Sequence, residues 1–148
     1  MRPSVLQLTF RTVECPKSPS YLVAELRIDG QQLGEKYALD VLQLTRSLAQ
    51  TGEYFIFTCA CGVPSCAGLT AGAQTVVVGD QVSLVGSLPK GGSFAYILSA
   101  AQARTAVAEA IYAEKAFLDG ACEGEEGEFP VLGFTAYSYK SYLAALAG

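Results

Sequence analysis

Apolar and polar side chains alternate near the start of the chain. Leu6, Leu8 and Phe10 fall on one face and Gln7, Thr9 and Arg11 on the other, the pattern of a half-buried strand. Pro16 and Pro19 break the run, as a connection would. Leu22, Ala24, Leu26 and Ile28 then repeat the alternation up to the turn pair Asp29-Gly30, so the two runs predict an antiparallel pair. From about Asp40 to Gln50 the period becomes helical, with Val41, Leu44 and Leu48 on one stripe and Leu42 beside it. Asp40 suits the N-cap and the helix dipole, and Gly52 stands where a C-terminal cap is expected. Tyr54 to Thr58 is apolar on both faces and predicts a central strand covered on two sides.

In the second half, Thr75-Val76-Val77-Val78 is β-branched and is punctuated by Gly79-Asp80. Val82, Leu84 and Leu88 alternate with polar residues, Gly86 marking a bulge or a close approach. Residues 89–92 predict a turn and Phe94 to Leu98 a strand. Ser99 and Gln102 have the spacing of a capping box. The helix behind them is expected from Ala100 to about Leu118, with Ala103, Val107, Ala110, Ile111, Phe117 and Leu118 inward and Gly120 as its end. Residues 121–128 read as an acidic, glycine-interrupted loop. The aromatic segment 129–148 carries Phe134, Tyr137, Tyr139 and Tyr142, with a short helix from about Ser138 to Ala147.

These elements define one α+β domain over residues 1–148, a mostly antiparallel sheet of about five or six strands covered by two or three helices. Composition narrows what it can do. The sequence contains no histidine, which excludes Ser-His-Asp and Cys-His catalysis and every imidazole zinc site. A net charge of −4 argues against sequence-independent nucleic-acid binding and favours a basic protein partner. No apolar run approaches the roughly 18 residues that span a bilayer. No secretory signal opens the chain, so a soluble, cytoplasmic protein is expected.

The densest chemistry is the stretch Cys59-Ala60-Cys61-Gly62-Val63-Pro64-Ser65-Cys66, three of the five cysteines within eight residues. On a continuing strand Cys59 and Cys61 share a face, about 6.5–7 Å apart at Cα. That spacing makes a disulfide between them awkward while letting both thiolates reach one ion. Gly62 and Pro64 permit a reversal that returns Cys66 over the pair, so the three thiolates supply most of a structural zinc site. Cys15 or Cys122, or a carboxylate, would be the fourth ligand. Two alternatives stay open. The thiols can be reduced and packed at a strand end, or Cys66 can pair with Cys59 or Cys61 in a disulfide or redox role.

The order of strand, C-x-C-G-x-x-x-C-x-G and β-rich segment is carried by Cys59, Cys61, Gly62, Cys66 and Gly68 after Gly52-Glu53-Tyr54-Phe55. Across residues 40–84 it resembles a group of small uncharacterised bacterial proteins with a C-x-C-G-x-x-x-C signature. Members often carry a Trp in the following strand, whereas this chain has none. The resemblance implies a bacterial source and supports the fold, and it implies no activity.

The Glu123–Glu128 region offers carboxylates for Ca²⁺ or a basic partner, but it lacks EF-hand spacing and reads more simply as a solvated loop. Glu109 and Glu114, five apart, form no same-face pair, and the glycine clusters lack phosphate-loop spacing. The expectation is therefore a non-enzymatic protein-binding or accessory domain, of inhibitor or immunity type, with a structural cysteine loop. The alternative is a zinc-binding or thiol-redox protein using Cys59, Cys61 and Cys66.

Overall fold

The computed structural model describes residues 2–16, 18–34, 37–58, 71–88, 92–123 and 136–147. β1 (Leu6–Cys15) and β2 (Ser18–Ile28) form the antiparallel pair that the alternation predicts, with Leu6 opposite Ile28, Leu8 opposite Leu26 and Phe10 opposite Ala24. These pairs set one apolar face toward the core. The Pro-containing connection is shorter than the prolines suggested, because β2 already begins at Ser18. Register slips between Val13 and Cys15, so Pro19 falls opposite an irregularity in the ladder. Asp29 (φ 53°) and Gly30 (φ 81°) then make a two-residue turn with both centres left-handed, which matches strand twist. It returns the chain as β3 (Gln31–Leu33), a third strand on β2.

α1 (Val41–Ser47) follows β4 (Ala38–Leu39). The Asp40 carboxylate accepts from the Gln43 amide at 3.1 Å, as its N-cap position predicts. Burial pushes the Asp40 carboxyl above its ordinary range, against the pull of the Gln43 and Leu42 amides and Arg46. Gly52 is not the C-cap. The helix closes at Leu48 in a right-handed conformation, and Gly52 opens β5 (Gly52–Tyr54).

The apolar run 54–58 is not one central strand either. β5 lies at the edge of a four-stranded sheet, and β6 (Phe57–Thr58) pairs with β4 in a separate ladder. Its double-sided apolarity serves a crossing between two ladders, with Ile56 and Phe57 buried in the common core.

That four-stranded sheet has the order β5–β7–β8–β9, from β7 (Ala73–Val78), β8 (Gln81–Ser87) and β9 (Ser93–Ser99). Gly86 keeps register opposite Phe94, so it is a close approach and not a bulge. A Cβ there would sit 2.8 Å from Phe94 Cζ and 3.0 Å from Ala73 Cβ.

α2 (Ala100–Ala113) starts from Ser99, whose Oγ accepts from the Gln102 amide at 3.3 Å. The box is not reciprocal. The Gln102 side chain instead accepts from Leu6 N (3.1 Å) and donates to Leu6 O (2.9 Å), occupying the edge of β1 away from β2. Asp80 completes the helix start by accepting from Ala101 N and Ser99 Oγ, which hold its carboxyl below the usual range.

The long helix is interrupted at Glu114, and α3 (Lys115–Glu123) continues through Gly120. Phe117, expected inward, is 48% exposed, while Leu118 is fully buried. Leu118 keeps the stripe of Val107 and Ile111, and Phe117, about 100° round the helix from it, lies outside that stripe. α4 (Ala136–Ala147) packs on α1 and α3.

The class is α+β with antiparallel ladders of three, two and four strands and four helices among the described residues. One apolar cluster unites them, from Leu6, Leu26 and Ile28 through Leu44 and Leu48 to Leu84, Leu98, Val107, Tyr139 and Tyr142. Leu98, in the last strand, is bridged in parallel by Ser4, whose amide reaches Ile97 O at 2.8 Å, so the three- and four-stranded ladders meet there.

Candidate interaction face

Strand parity decides which side chains the four-stranded sheet turns outward. Ala73, Thr75, Val82, Leu84, Phe94 and Leu98 are buried on its inner face. The alternate residues form rows across the ladder: Val76–Ser83–Ile97, Gln74–Val85–Ala95 and Val78–Gln81–Ser99. With Ser87 opposite Ser93 and Glu53 opposite Gln74, the outward face has twelve positions, and Glu53 is the one charge among them. That carboxylate lies at the β5 edge and accepts from Gln74 Nε2 at 2.8 Å.

The centre of the face is apolar and uncovered, with Val76 51%, Val78 69%, Val85 48% and Ile97 39% exposed. Isolated exposed valines are ordinary, but three valines and an isoleucine on a sheet face whose one charge lies at its edge form a patch of the kind that marks contact surfaces. At its corner the chain before β1 runs beside β9. There Arg2 and Asp80, with Val78, Ile97, Leu98 and Ser99, line an open recess of about 510 Å³, so charged groups flank this corner of the face.

The outward face of the β1–β2 pair is built differently. Gln7 stands opposite Arg27, and Thr9 opposite Glu25. Glu25 receives Arg11 Nε at 2.8 Å and Arg27 Nη1 at 3.1 Å, and Arg27 also reaches Thr9 and Gln32. The hydrogen bond from Arg11, then that from Arg27, holds the Glu25 carboxyl below the usual glutamate range against the desolvation that opposes them.

The docked C-terminal helix contributes a pair of buried tyrosines. Tyr139 donates to the Asp119 carboxylate, which also pairs with Lys115. The Tyr142 hydroxyl is buried with no hydrogen-bond partner among the described residues, and burial pushes its pKa up to about 12. Both tyrosines are buried in the common core, each 1% exposed.

Cys59, Cys61 and Cys66 lie outside the described residues, as do 124–128 of the acidic loop. Cys15 ends β1 opposite Ser18 in the backbone ladder, and Cys122 lies near the end of α3. Among the described residues no group of three or more His, Cys, Asp or Glu side chains is placed to hold a metal. Among them, too, no helix is long and apolar enough to cross a membrane.

The sequence reading did not single out the apolar face. A signal was present: β7 has valine at 76 and 78 as well as at 77, so it lacks the polar alternation that a solvated face produces. Comparison of the chain with protein-family models, curated proteins and solved structures found no match.

Proposed function

We propose that the chain is a non-enzymatic protein-binding domain whose contact surface is the outward face of β5–β7–β8–β9. The observation that carries this reading is the patch of exposed Val76, Val78, Val85 and Ile97 on a sheet face with one charge, at its edge. Burying such a face gains about 25 cal/mol per Å² of apolar surface and desolvates no charge at its centre. An inhibitor or immunity-type role toward a basic protein would draw on the −4 charge of the chain for steering, with the apolar face as the point of contact.

A photoreactive amino acid at position 76, compared with one at position 11 on the other sheet, tests this in cells that naturally contain the protein. Discrete cross-linked products at 76 and none at 11 are expected. No product at 76, or the same products at both positions, would contradict the assignment.

A second reading keeps the cysteine cluster as a zinc or thiol-redox element in a reducing, cytoplasmic setting. It is favoured by the spacing of Cys59, Cys61 and Cys66, with Cys15 or Cys122 as a further ligand. β6 ends at Thr58 and β7 begins at Ala73, so paired strands anchor the segment on both sides. Elemental mass spectrometry and a free-thiol count on anaerobically purified protein decide it. Near-stoichiometric zinc with three or four protected thiols supports a metal site, and five titratable thiols without metal reject it.

A further inference from the structure

We draw no further inference here: the strongest candidate, the open recess that Arg2, Val78, Asp80 and Ile97 line at the corner of the four-stranded sheet, belongs to the face already described, and nothing in the structure shows what covers it.

Discussion

The two larger sheets of this protein share one core and differ in what they show to solvent. On their inner faces Leu6, Leu26 and Ile28 of one and Val82, Leu84 and Leu98 of the other are equally buried. On their outer faces one carries Arg11, Glu25 and Arg27 in a connected ion-pair network, and the other carries uncovered valines and isoleucine around small polar residues. Burial of the inner faces supplies most of the stability, so a difference confined to the outer faces points to something other than folding. A solvated sheet needs polar alternation on one side, as β1 and β2 show, and β7 departs from it.

Substitutions can break this contrast or sharpen it. The largest effects belong to the shared core: Leu26→Ala and Leu84→Ala should each cost about 2–5 kcal/mol in denaturant unfolding. A much smaller loss at one of them would mean that the two sheets are not equally integral. Gln102→Ala should cost about 1–2 kcal/mol, since it strips both backbone partners from Leu6 at the β1 edge. Thr75 Oγ1 is buried on the inner face of β7 without a partner among the described residues, so Thr75→Val should leave stability unchanged or raise it by up to about 1 kcal/mol.

On the charged face, Glu25→Gln should cost about 0.5–1 kcal/mol, with the loss shrinking at high salt. The sign of its pH dependence follows from the lowered folded-state pKa of Glu25. Its contribution is full above the ordinary glutamate value of about 4.3 and is lost as pH falls below that through the folded value. Urea midpoints of wild type and Glu25→Gln should therefore converge on acidification, and a gap that widens would refute this account. Smallest of all is the stability change from Val76→Asp, expected within about 0.5 kcal/mol because the side chain is half exposed.

Much of the fold was legible in residue pattern because the physics was local. The alternation in β1 and β2, the Asp29-Gly30 turn and the caps at Asp40 and Ser99 each depend on a few neighbouring residues. What was not legible depended on distant ones. Gly52 looked like a cap, but β7 pairs it into a sheet. Gln102 looked like half of a capping box, yet Leu6, ninety-six positions away, takes its side chain. The run 54–58 looked like one strand because apolarity on both sides does not record that the chain passes from one ladder to another.

The candidate surface was hidden for a related reason. Its residues come from β7, β8 and β9, and their common outward parity exists only once the register is set. The cysteine cluster was the reverse case, conspicuous in sequence and outside the described residues.

The central claim, that the outer face of β5–β7–β8–β9 is the contact surface and the ion-paired face of β1–β2 is not, is tested most directly by amide resonances of the isotope-labelled chain titrated with extract of cells that naturally contain it. Shifts and broadening that grow with added extract at Gln74–Val78, Gln81–Val85 and Ala95–Ser99, with Gln7–Arg11 and Val23–Arg27 unchanged, are the predicted result. Changes at the β1–β2 residues with the β7–β9 residues silent would contradict it.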